Sequence, residues 1–166
     1  MPGAVSDSST LIHLAKIGRL NLLHEYHGKI RIAPAVWKEV VEEGQNWAGS
    51  AEVVEGRRSG WIEVAIPTNQ ALVRFLQKDL HAGESETLAL AVECNPDIVF
   101  LDESEARLAA GIYRLNKSGA IGLLIRAKRD GRISSLHQEL DRLRNDAGFW
   151  IGEDVYRMAL KAVGED

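Results

Sequence analysis

Asp97-Ile98-Val99-Phe100-Leu101-Asp102, residues 97–102, is an apolar burst that opens and closes on an acid. A short run of this kind, with no polar residue to face water, is expected to form a central strand buried on both faces, which is the habit of parallel sheets. Asp102 then stands at the carboxyl end of that strand, where packing has no use for a charge. The same pattern occurs at the other end of the chain: Ala4 to Ser6 reads as a short first strand and is followed at once by Asp7.

Between and beyond these two strands, short apolar runs alternate with amphipathic stretches, as expected for a mostly parallel sheet with helices on both faces. Ser8-Ser9-Thr10 offers capping hydroxyls to a helix through Leu11, Leu14, Ala15 and Ile17 that stops at Gly18, and a second helical piece follows through Leu20, Leu22 and Leu23. Ile30 to Ala33 alternates as a strand, and Pro34 suits the first turn of a helix through Val36, Trp37, Val40 and Val41 that ends at Gly44. The pattern weakens from Gln45 to Ser59. Trp61 to Ile66 alternates again and Pro67 closes it, which predicts an edge strand. Helices are expected over 69–78, from Ala82-Gly83 through Val92, from Ala106 to Ile112, from Ile121 to Lys128, from Leu136 to Leu143 and near 154–163.

The chain has 166 residues, near the usual size of one domain, and one domain over 1–166 is expected. With 45% hydrophobic and 27% charged residues it should form a packed core. The start has no basic segment leading into an apolar one, and no apolar run approaches the roughly 20 residues that span a bilayer, so no membrane is expected and the cytoplasm is the default address. Cys94 is the single cysteine, which excludes an intrachain disulfide and a thiolate metal cage built by this chain alone. A net charge of −4 argues against coating nucleic acid by bulk electrostatics, but not against an enzyme whose clustered carboxylates hold cations.

Acids at the carboxyl ends of parallel strands lie where open α/β sheets bind ligands. Asp7 and Asp102 meet there if their strands are neighbours. Glu84, in the first turn of its helix, shares a face with Leu88 and Ala91 that should point inward, where an unpartnered acid is costly. Glu39 flanks the buried arc of its helix, as does Glu43, and periodicity does not choose between them. Gathered carboxylates must take up protons or a cation, and oxygen donors without cysteine or a histidine pair favour Mg²⁺ or Mn²⁺. Asp7 is also a natural helix N-cap and Glu84 a favourable charge at a helix start, so neither residue proves a site alone.

Read together, V-S-D-S-S-T-L-I at 5–12, I-A-P-A-V-W-K-E-V at 32–40, G-E-S-E-T-L-A-L-A at 83–91 and V-F-L-D-E-S-E-A-R at 99–107 resemble the PIN-domain family. Matches at G-A-I-G-L-L 119–124, A-K-R-D-G-R-I 127–133 and G-F-W-I 148–151 extend the resemblance over essentially the whole chain. It is closest to a branch described only as nucleic-acid-binding, related to VapC-type toxin ribonucleases. The resemblance implies a PIN-like three-layer α/β sandwich with a mostly parallel central sheet flanked by helices. It also implies an endoribonuclease acting on single-stranded or structured RNA with Mg²⁺ or Mn²⁺, and as partners a small antitoxin protein and a second copy of the chain. The family's metal acids carry over to Asp7, Glu39, Glu84 and Asp102, with Glu103 as a supporting ligand, and the spacing to Asp102 favours Glu84 over Glu86. The chain departs from relatives that place a threonine after the glycine, having Gly119-Ala120; Ser118 is the candidate to supply that hydroxyl.

Ser8, Ser9, Arg126, Lys128 and Arg129 are the candidate RNA contacts, the three cations forming the clearest basic cluster. Cations at a helix C-terminus are equally favourable on structural grounds. Of the four tryptophans, Trp37, Trp61 and Trp150 are expected in the core and Trp47 free to stack on a base. Among the histidines only His81, close to Glu84, attracts attention. A catalytically inactive PIN-like module that binds RNA or protein is the rival reading. An aspartate-nucleophile phosphohydrolase is a second, weakened because position 9 is serine where that chemistry wants another aspartate.

Overall fold

The computed structural model describes residues 3–44 and 47–166. Its strands are β1 (Ala4–Ser6), β2 (Ile30–Ile32), β3 (Ile62–Val64), β4 (Ile98–Phe100) and β5 (Lys117–Ser118). They form one sheet in the order β3-β2-β1-β4-β5, and every pairing is parallel. The helices are α1 (Ser8–Lys16), α2 (Asn21–His27), α3 (Pro34–Trp37), α4 (Ala48–Ser59), α5 (Gln70–Leu76), α6 (Ala82–Cys94), α7 (Ser104–Ile112), α8 (Ala120–Arg129), α9 (Leu136–Asn145) and α10 (Glu153–Ala162). α3 continues directly into a π-helical turn, Lys38–Glu42. The helices gather around α1, which packs on α4, α8 and α9, and around α6, which packs on α3, α5 and α7. The result is the expected α/β sandwich.

The centre of the sheet is fully buried, with Val5, Ile30, Ile32, Val99, Phe100 and Leu101 each at most 1% exposed. Strands covered on both sides need continuous apolar character, and β4 has it, whereas β2 alternates through the half-buried Arg31. From β1 the chain moves outward to β2 and β3, then returns across β1 to β4. The reversal puts a crevice between the carboxyl ends of β1 and β4. Ala4, Val5 and Ser6 pair in register with Ile98, Val99 and Phe100, so the next residues of both strands leave the sheet side by side.

Three elements differ from the sequence expectation. The stretch whose pattern weakens holds α4, whose buried stripe is Ser50, Val53 and Gly56. Small and polar residues give little hydrophobic signal. A Cβ at Gly56 would lie 2.5 Å from Ile62 Cδ1, so the glycine permits close approach of helix and strand. Gln45 and Asn46 lie outside the described residues. The edge strand expected over 61–66 is only Ile62–Val64, with Ile66 already exposed. β5 was not expected at all: it contains no apolar residue and is defined by backbone pairing, Leu101 N–H donating to Ser118 O at 2.8 Å. Among the described residues no helix is long and apolar enough to cross a membrane.

Phe100 is the largest of the fully buried side chains, whereas Leu108 on α7 is 73% exposed. Phe100→Ala should therefore lower the unfolding free energy by about 3–5 kcal/mol, against no more than about 0.5 kcal/mol for Leu108→Ala, as read from urea denaturation.

Candidate active site

The two strand-terminal acids meet at the crevice. Asp7 is 1% exposed; its N–H donates to Phe100 O at 3.0 Å, which ties it to the end of β4. Its Oδ1 accepts from Thr10 N–H at 2.8 Å as the N-cap of α1, and its Oδ2 accepts from Asp102 N–H at 3.3 Å. Capping and site reading thus use different oxygens of one carboxyl group. Burial first, and the negative charge of Asp102 second, push the Asp7 carboxyl up to about 8, against the opposing pull of its hydrogen bonds to Thr10 and Asp102. The Thr10 hydroxyl is buried beside it without a well-formed hydrogen bond.

Asp102 is held from two sides. Its Oδ1 accepts from Ala120 N–H at 2.8 Å, at the start of α8, and its Oδ2 lies 2.7 Å from His13 Nδ1. A proton on Nδ1 makes that nitrogen the donor. Gly119 is required here because a Cβ would run into Asp102 Oδ1 and sit 3.0 Å from Leu101 O. The Ser118 hydroxyl lies over Gly122 in the first turn of α8.

A second acidic pair lies beside the first. Glu39 comes from the π-helical turn and accepts from Ser8 Oγ at 2.7 Å, while Glu43 is exposed; packing thus separates two residues that periodicity could not. Glu84 is 5% exposed, and its pKa is raised by burial, opposed by His81 and reinforced by the charge of Glu103. His81 caps α6 and stands between the two acids, Nδ1 3.9 Å from Glu39 Oε1 and Nε2 3.3 Å from Glu84 Oε1. Glu86, the competitor of Glu84, is occupied elsewhere, accepting from Ala35 N–H at 3.1 Å. Glu103 is exposed and accepts from Ser9 Oγ at 3.4 Å.

Of the candidate RNA contacts, Ser8 is buried against Glu39 and Ser9 faces Glu103. Arg126, Lys128 and Arg129 occupy the last turn of α8, roughly 9–14 Å along the axis from the end that receives Asp102. There Arg126 covers the Tyr26 ring at 4.0 Å, Lys128 Nζ donates to Ser134 O at 2.8 Å and Arg129 Nη2 donates to Ala162 O at 3.2 Å. The tryptophans also differ from expectation: Trp47 is half-buried with Nε1 donating to Val40 O at 3.2 Å, and Trp150 is 84% exposed. The sequence reading gave His13 and Arg107 no role at the site. His13 lies four residues after Ser9, so both project from one side of α1 towards 102–103. Arg107 reaches back to donate to Leu101 O at 3.2 Å.

The donors are carboxylate oxygens, two of them on acids whose charged form is disfavoured until a cation arrives, and that chemistry fits a hard divalent ion. The cage is not closed. Among the described residues no three histidine, cysteine, aspartate or glutamate side chains gather around one point, since Asp102 already has a partner on each oxygen and His81 separates Glu39 from Glu84.

A family model described as a PIN domain matches residues 3–165. PIN domains are generally nucleases and typically use divalent metals. No curated protein matches the sequence.

Between pH values of about 4 and about 8 the folded chain keeps a proton on Asp7 that the unfolded chain has released. Without divalent cations, stability should therefore fall as pH rises through that window, and added Mg²⁺ or Mn²⁺ should stabilise increasingly over the same range. Thermal unfolding in EDTA should show this fall in stability ending at a lower pH for Asp102→Asn than for wild type, and an unchanged upper limit would mean that Asp102 does not act on Asp7.

Proposed function

The chain belongs to the PIN-domain family, and from that premise we propose that it is one PIN-like domain acting as a Mg²⁺- or Mn²⁺-dependent endoribonuclease. The observation that carries this reading is the side-by-side placement of Asp7 and Asp102 at the β1/β4 crevice, with Asp7 driven towards its neutral form by burial and by its neighbour. A divalent ion held by these two acids, with Glu84 and Glu39 beside it, would neutralise their charge, make a water nucleophilic near neutral pH and stabilise the leaving oxygen of a phosphodiester.

The chain's own residues prepare that position. Asp7 gives up its proton when a cation compensates its charge. Ala120 N–H and His13 hold the Asp102 carboxylate in one orientation, and the bare backbone of Gly119 leaves room for it. Ser8 fixes Glu39, so that the residue after Asp7 links the first acidic pair to the second. Burial of Asp7 and Glu84 excludes bulk water from the side of the site nearest the core. These partners orient the acids as outer-shell hydrogen bonds orient metal ligands generally.

A second reading, a module that binds RNA without cutting it, is favoured by one observation: both Asp102 oxygens are already engaged and the ligand cage is open. Structured and single-stranded RNAs incubated with Mg²⁺ or Mn²⁺, with and without EDTA, separate the two. Cleavage that EDTA abolishes is expected, and Asp102→Asn, still folded by circular dichroism, should reduce it at least about 100-fold. Equal cleavage by that variant would remove Asp102 from the mechanism, and binding without cleavage by the wild type would select the second reading. Glu39→Gln should cost about 10–100-fold and Glu43→Gln nothing measurable in the same assay.

A further inference from the structure

The acidic crevice opens on one side into a cleft of about 690 Å³ whose lining includes His13, Asp102, Arg107, Lys117, Phe149 and Trp150. Its wall is the segment between α9 and α10, and that segment is anchored on both sides of Trp150. The Phe149 ring stacks on His13 with centroids 4.2 Å apart and planes 9° apart, and Phe149 N–H donates to Leu143 O at 2.9 Å. Ile151 is buried in the core, and its carbonyl accepts from Arg144 Nη2 at 3.0 Å. Between these fixed neighbours the Trp150 indole is 84% exposed. An aromatic ring of this size normally stabilises a fold by being covered, so exposure on an anchored backbone is unfavourable for the isolated chain.

Resting on the ribonuclease reading, we propose that Trp150 is a stacking platform for one unpaired nucleobase of a single strand whose adjoining phosphate lies at the acidic crevice. Stacking needs a flat apolar face open to solvent, and Trp150 offers one. The backbone of such a strand needs cations near that face. Arg107 and Lys117 line the same cleft, and Lys117 makes no salt bridge among the described residues. The His13 ring joins the wall of the cleft to the site, touching Phe149 with its face and Asp102 with its edge. Gly152 keeps the platform where it is, since a Cβ there would approach the outer edge of the indole at 3.2 Å. A protein partner would also value an exposed tryptophan, but Arg107 and Lys117 in the same cleft suit a polyanion whose charge is met beside the ring.

Binding in EDTA tests this without requiring catalysis. Fluorescence anisotropy of labelled oligouridylate and oligothymidylate is measured with wild type, Trp150→Phe and Trp150→Ala, each checked for folding by circular dichroism. Trp150→Ala should weaken both probes by about 5- to 150-fold and Trp150→Phe by much less, because every base offers a π-face to an aromatic ring. Tighter binding of oligouridylate by wild type is expected, and a preference for oligothymidylate would count against the ribonuclease reading and not against the platform. A single abasic residue at the stacking position should weaken wild type by the same factor and Trp150→Ala no further. Unchanged binding by Trp150→Ala, an equal loss on a blunt duplex, or losses that multiply when the abasic probe meets Trp150→Ala would each overturn the proposal. No EDTA-sensitive cleavage by wild type, alongside lost binding by Trp150→Ala, sinks the ribonuclease reading alone; EDTA-sensitive cleavage with unchanged binding by Trp150→Ala sinks the platform alone.

Discussion

Two carboxyl groups brought together out of water set the terms for the rest of this molecule. The parallel register of β1 and β4 delivers Asp7 and Asp102 to the same crevice, and backbone N–H groups hold both of them there. Asp7 at once closes the N-terminus of α1, accepts from the chain leaving β4 and donates to Phe100. The hydrogen bonds that assemble the centre of the fold are therefore the ones that confine the charges. A sheet arranged otherwise would leave these acids on separate surfaces, where water would screen them and Asp7 would lose the burial and the neighbouring charge that raise its proton affinity.

The second acidic pair is organised differently. Glu39 and Glu84 belong to different helices and meet through His81, a helix cap whose ring lies between them. Ser8 binds this pair to the first by a single hydrogen bond. The site thus consists of a rigid half set by backbone hydrogen bonds and an adjustable half set by side chains.

Much of the architecture was legible because buried parallel strands declare themselves as uninterrupted apolar runs. Both strand-terminal acids could be named from Val5-Ser6-Asp7 and Phe100-Leu101-Asp102. β5 was not legible, because Lys117 and Ser118 are recruited by a neighbour's unpaired backbone rather than by their own side chains. α4 was hidden because a helix that packs through serine, valine and glycine has almost no amphipathic pattern. At the site, periodicity could not tell Glu39 from Glu43; the resemblance chose Glu39, and the packing of Ser8 and Gly83 against it supplies the physical difference. The tryptophans misled for a related reason: composition says how many aromatic rings there are, but only tertiary anchoring on both sides of a residue decides which ring stays outside.

The widened turn at Lys38–Glu42 has a bearing on how this chain tolerates change. Such a turn holds one residue more than the regular helix around it, and each residue of an α-helix rotates the next by about 100°. The direction in which Glu39 points is consequently a matter of counting: losing Lys38, the one residue between it and α3, would swing the glutamate away from Ser8 while leaving the hydrophobic contacts of α3 in place. Length variation at this one bend is therefore a route by which sequences of the same shape would part company in chemistry.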